Sequence, residues 1–267
     1  MELRQIAFDS LGNSFENTGN ITVYIKEAGA WEPFLVLQSN YPGQGNGGTL
    51  LLRKYFLEER MPWQTLDNWH QHRPTYYPLS HMSNWLETVY IQLFSPAMQQ
   101  RILTTYIQVE TGEDNPVERQ LQTIPSRVFL LSEYEVGSAT LNTRARAREG
   151  SPIEFFNPGR RYGNLQDRND VMHERRIANT RYPYQGDTSP SWGGGGGNPG
   201  YSSWWLRTEM DTIARDTISA IMFDGTLGFI HAEDYTFVRP AFTLPGNTVI
   251  KRYEVESGRV VFVIPPE

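Results

Sequence analysis

The 267-residue sequence predicts an α+β domain. Three observations lead there. Short apolar, β-branched runs recur along the chain, two segments with helical spacing sit between them, and no run approaches the roughly 20 apolar residues a membrane helix needs. Hydrophobic residues make up 39% and charged residues 20%, a balance that excludes a disordered chain and is enough to bury a core.

The elements follow in order. Ile21–Ile25 alternates and is β-branched, and Pro33–Leu37 is a second strand after a turn at Gly29. Residues 38–49 form a Gly/Asn/Pro loop, and Leu50–Lys54 follows as a buried strand. The polar, aromatic loop from Trp63 to Met82 carries His70, His72 and His81. Alternate residues share a strand face, so His70 and His72 could approach one metal, but no acid or cysteine stands at a ligand-like spacing. No metal and no cofactor are expected.

Ser83 reads as a helix N-cap, with Trp85, Leu86, Val89, Tyr90 and Leu93 at helical spacing and pointing inward. Ser95-Pro96 starts a second helix, Ser95 as N-cap and Pro96 in the first turn, with Met98, Ile102 and Leu103 as its apolar stripe. Thr104–Val109 and Arg127–Leu131 read as strands, the second one buried. From Gly137 to about Gly200 periodicity is lost, and Gly193–Gly197 is a run of five glycines. Structure returns at Ser203–Arg207, where Trp204 and Trp205 face opposite sides of a strand. Ser219–Phe223 and Thr226–His231 flank Asp224-Gly225, a strong hairpin signal. Phe237–Pro245 is a further core segment, and residues 249–264 form a last hairpin that could pair with another chain. The expected organisation is one domain over residues 1–245, with an irregular insert at about 138–202, and a C-terminal β-hairpin appendage over 246–267.

Charge and composition narrow the functional classes. The net charge is −6 and the pI about 5.5, which disfavours a nucleic-acid partner. Between Asn142 and Arg181, however, nine arginines face five acids, a local +4 read as a solvated loop or, alternatively, as a site for an anionic ligand. There are no cysteines, so disulfides, thiol nucleophiles and thiolate metal sites are excluded. Met1–Gln5 lacks a basic-then-apolar signal pattern. No nucleophile-elbow, phosphate-loop or zinc-protease motif occurs, and catalysis is not expected. Arg207 and Arg239 each adjoin an apolar run, where a guanidinium can satisfy backbone carbonyls or a buried acid such as Glu135.

Five segments in fixed order carry a resemblance. They are Leu51-Leu52-Arg53-Lys54, Asn84-Trp85-Leu86, Phe129-Leu130-Leu131-Ser132 with Glu135-Val136-Gly137, Trp204-Trp205-Leu206-Arg207, and Val238-Arg239-Pro240-Ala241. Over residues 12–245 the chain resembles a domain family of bacterial and phage proteins related to the C-type-lectin fold. The resemblance implies a C-type-lectin-like domain with two short helices, small antiparallel sheets and long loops. The physical setting of these motif residues, beside or within apolar runs, gives Arg53, Trp85, Glu135, Trp204, Trp205, Arg207 and Arg239 structural roles. The resemblance also implies a ligand-facing region between the last two motifs, with Met210, Asp211, Arg215, His231, Glu233 and Tyr235 as candidate contacts. The function this implies is a non-enzymatic virion part (tail, baseplate or capsid decoration) assembled in the bacterial cytoplasm. Its expected partners are other virion proteins, further copies of itself and a host-surface glycan or protein. A bacterial surface adhesin or carbohydrate-binding module is the alternative.

Overall fold

Strands dominate the computed structural model: 45% of the described residues are strand and 16% helical. It describes residues 1–6, 21–41, 48–65, 76–111, 120–137, 149–153, 155–156, 176, 178, 202–209, 217–254 and 260–266.

The chain enters through β1 (Thr22–Glu27) and turns at once into the long β2 (Ala30–Tyr41), then β3 (Gly48–Arg53). Glu27 pairs with Ala30, so Ala28 and Gly29 make a two-residue turn, both with positive φ (51° and 83°). That backbone matches strand twist, and Gly29 suits it while Ala28 is strained there. After β4 (Met61–Pro62) come helix α1 (His81–Thr88), a 3₁₀ turn over Tyr90–Leu93 and helix α2 (Pro96–Arg101). The N-cap of α1 is Ser80 rather than Ser83: its hydroxyl accepts from the Ser83 N–H at 3.0 Å and donates to the Tyr77 carbonyl at 2.7 Å. The buried stripe of α1 is accordingly Met82 and Leu86, while Val89 is exposed. Helix α2 begins at Ser95 and Pro96, with the Ser95 hydroxyl accepting from the Met98 N–H at 3.2 Å.

Then follow β5 (Thr105–Glu110), β6 (Leu121–Ser126), β7 (Val128–Phe129), β8 (Trp204–Glu209), β9 (Thr217–Ile221), β10 (Leu227–His231), β11 (Tyr235–Thr236), β12 (Ala241–Leu244), β13 (Lys251–Glu254) and β14 (Val260–Val263). They assemble into a seven-stranded sheet of order β13-β14-β1-β2-β3-β12-β7, a three-stranded sheet β10-β9-β8 and two two-stranded ribbons, β11-β4 and β5-β6. Strand β14 runs parallel to β1, while the other pairs in the large sheet are antiparallel.

This overturns the expected α+β, C-type-lectin-like class of two short helices and small antiparallel sheets: the fold is mostly β, around one large mixed sheet. The reason is long-range pairing. Strand β12 bridges β3 and β7, and β14 extends the sheet past β1, so strands that read as separate local hairpins merge into one layer. The helices, of eight and six residues, occupy one connection between β4 and β5.

The core follows from the burial of the central strands. Every residue of β3, β9 and β12 is buried, as befits strands covered on both faces. Phe34, Phe94 and Phe242 meet edge-on, with centroid distances of 5.3 Å (Phe34–Phe242) and 5.4 Å (Phe94–Phe242). The three-stranded sheet is tied to the rest through β8: the Trp205 N–H donates to the Phe237 carbonyl at 3.1 Å and the Arg207 N–H to the Leu131 carbonyl at 2.9 Å.

Candidate functional site

The arginines and the glutamate of the motif segments lie inside the protein. Arg207 lies within the buried run of β8 and is 1% exposed. Its guanidinium makes a two-pronged ion pair with Glu135, Nη1 to Oε2 at 2.7 Å and Nη2 to Oε1 at 2.9 Å, and also donates to the carbonyls of Leu130 (2.8 Å) and Gln108 (3.2 Å). Glu135 further accepts from the Tyr41 hydroxyl and from the Ser132 N–H at 2.9 Å. Burial opposes the Arg207 charge, but Glu135, Tyr41 and Glu149 outweigh it and hold the pKa above its ordinary value. Burial and the adjoining Glu135 push the Tyr41 phenol well up. Glu149 accepts from the Thr208 hydroxyl at 2.6 Å and the Glu110 N–H at 2.9 Å; burial raises its pKa, against the pull of Arg207. The next residue, Gly150, has φ +82°, and a Cβ there would run into the Glu135 carboxylate, so only glycine lets this loop close over the pair.

A second cluster surrounds Arg53. Its Nε donates to Glu27 at 3.0 Å, its Nη2 lies 3.2 Å from Glu32, and its Nη1 donates to the carbonyls of Tyr55 (2.8 Å) and Phe56. The Tyr90 hydroxyl donates to Glu27 at 2.8 Å. Burial raises the Glu27 pKa, and Arg53 opposes it.

Arg239, 0% exposed, differs from both. Its Nε donates to the Arg53 carbonyl at 2.8 Å and its guanidinium carbon lies 5.1 Å from the centre of a Trp204 ring, but Nη1 and Nη2 meet no acceptor among the described residues. Burial alone pulls its pKa down to about 9. The tryptophans are fully buried: Trp204 Nε1 donates to the Arg176 carbonyl at 3.0 Å, and Trp205 Nε1 to the Met61 carbonyl at 2.9 Å, its ring 6.0 Å from that of Trp63. Trp85 is partly buried and packs on Tyr90.

Of the six residues expected to meet ligand, Met210, Asp211 and Arg215 lie outside the described residues. The other three converge on one turn. His231 closes β10, Glu233 sits in the turn and Tyr235, 67% exposed, opens β11. The turn is pinned from below, since Ala232 is buried and its carbonyl accepts from the Gln64 N–H at 2.9 Å, while the Asp234 N–H donates to the His231 carbonyl at 2.9 Å. Phe229, 54% exposed, stands two residues before His231 and so on the same strand face. This turn offers two aromatic surfaces, an imidazole and carboxylates to a partner. Among the described residues, no group of three or more His, Asp or Glu could hold a metal, and no helix is long and apolar enough to cross a membrane. His70 and His72 lie outside the described residues, and His81 is the first residue of α1.

Sequence reasoning missed Glu27, Tyr41, Glu149, Arg176 and Phe229. For Glu27 a signal existed: Val23, Ile25 and Glu27 share a strand face by period two, so an acid on that face must be buried. Arg176 was one arginine among nine in an aperiodic stretch, with nothing local to single it out.

No curated protein matches the chain, and no solved structure matches it. A family model, described as a domain of unknown function, matches residues 46–246, from two residues before β3 to just past β12. That match spans more than half of the chain, and the chain therefore belongs to the DUF6273 family.

Proposed function

We propose that the chain is a non-enzymatic structural and recognition domain, part of a virion tail, baseplate or capsid decoration, which assembles with further copies of itself and presents the β10–β11 turn to a host-surface glycan or protein. The observation that carries the reading is a division of labour. The charged motif residues Arg53, Glu135 and Arg207 are buried, Arg207 paired with Glu135 and Arg53 with Glu27 and Glu32, which leaves them no free face for substrate. The exposed Phe229 and Tyr235, by contrast, stand with His231 and Glu233 on β10 and the turn that follows it, which backbone hydrogen bonds hold from beneath. Exposed aromatic rings with polar neighbours suit both protein contacts and the faces of sugars. The virion part of the reading rests on the resemblance of the five motif segments.

Light scattering at high protein concentration and binding to bacterial cells and a glycan array test it together. A closed oligomer that binds cells or a glycan is the expected result. A strict monomer removes the virion assignment, and no binding to any surface removes recognition. Binding by a monomer favours the bacterial adhesin or carbohydrate-binding module, for which the exposed Tyr235 and Phe229 are the supporting observation.

A further inference from the structure

The three buried motif arginines are not treated alike. Arg53 faces Glu27 and Glu32, and Arg207 faces Glu135. Arg239 is equally enclosed, yet the described residues bring it no carboxylate, only one backbone carbonyl and the face of an indole. Its two terminal nitrogens, four N–H donors in all, are buried and unmet among the described residues. A buried charge without counter-charge or hydrogen-bond acceptors is among the most unfavourable arrangements a protein can hold. Beside Trp204 the fold thus holds an unanswered cation in Arg239, and donors of that kind call for a negative ligand.

We infer that Arg239, beside Trp204, is the receptor of an occluded small-anion site, taking a monovalent inorganic anion of the chloride, bromide or nitrate class. The two terminal nitrogens of a guanidinium present parallel donors that one halide can bridge or two nitrate oxygens can match. The enclosure restricts the ligand to small ions, and a side chain with no solvent exposure implies that the ion enters during folding or through local opening. A bound anion would also oppose the effect of burial, which by itself lowers the Arg239 pKa to about 9.

The test begins with protein unfolded in urea and refolded in sodium gluconate, whose anion is too large for the enclosure, or in sodium chloride, bromide or nitrate at equal ionic strength. The thermal midpoint of wild type should rise saturably with each small anion, on the order of 5 °C above gluconate. The Arg239→Met variant should lose that dependence. Equal midpoints in gluconate and chloride overturn the inference, as does an unchanged anion response in the variant. Should the variant not fold, anomalous scattering from crystals grown in bromide decides. A bromide within hydrogen-bonding distance of the Arg239 terminal nitrogens supports the site, and its absence there refutes it.

Discussion

Removing the Arg207 side chain tests the buried pair at its centre. Arg207→Met keeps much of the aliphatic volume but leaves Glu135 without its cation and the carbonyls of Leu130 and Gln108 without a donor. Breaking a buried ion pair from one side costs about 3–5 kcal/mol, because the remaining charge stays enclosed. The loss is a large share of a folding free energy of about 5–15 kcal/mol, and for a chain of this size it lowers the thermal midpoint by about 10 °C. Glu135→Gln should also destabilise wild type, since it strands Arg207 instead. The decisive comparison is the double variant: once Arg207 is gone, replacing Glu135 by glutamine removes the stranded charge and should raise the midpoint. The effect of Glu135→Gln therefore reverses sign between the two backgrounds. Calorimetry and urea titration followed by tryptophan fluorescence measure it. An Arg207→Met midpoint within about 2 °C of wild type, or the same sign in both backgrounds, refutes the assignment of this pair to the scaffold.

Three further outcomes follow. Ser80→Ala should cost about 1 kcal/mol through loss of the α1 cap, and Ser83→Ala clearly less; the reverse order in urea titrations would return the cap to Ser83. Ala28→Asn should stabilise by roughly 0.5–1 kcal/mol, because asparagine tolerates the left-handed backbone that Ala28 now adopts (φ 51°), and an unchanged or lower midpoint contradicts the two-residue turn. Glu149 carries a pH dependence of known sign. Burial raises its folded pKa above the unfolded value of about 4.3, so its protonated form favours folding: that contribution is fully present below about pH 4.3 and is lost as pH rises through the raised value. The stability of wild type relative to Glu149→Gln should fall across that window, and a difference independent of pH rejects the burial of this carboxylate.

Local features were legible in the sequence and long-range ones were not. Asp224-Gly225 marked a hairpin, and Leu227 does pair with Ile221 across it; Ser95-Pro96 marked the start of α2. Such signals act over a few residues, where backbone conformation alone decides. The parallel pairing of β14 with β1 joins residues some 240 positions apart, Val23 with Phe262, and no periodicity encodes it. A hairpin that read as an appendage therefore lies within the main sheet, and small local sheets became one of seven strands. Helix α1 starts three residues before the expected point because Met82 and Leu86, four apart, carry its buried face, whereas the expected stripe began at Trp85 and included the exposed Val89. At the candidate site, the exposure of His231, Glu233 and Tyr235 agrees with a surface turn, but Phe229 belongs with them only through strand geometry.

Display on the β10–β11 turn, separate from the buried scaffold, is best tested by replacing both exposed rings at once. Phe229→Ala with Tyr235→Ala should leave the thermal midpoint within about 2 °C of wild type, as surface substitutions do, while abolishing binding to the cells or glycans that wild type recognises. Undiminished binding by a folded double variant would contradict it.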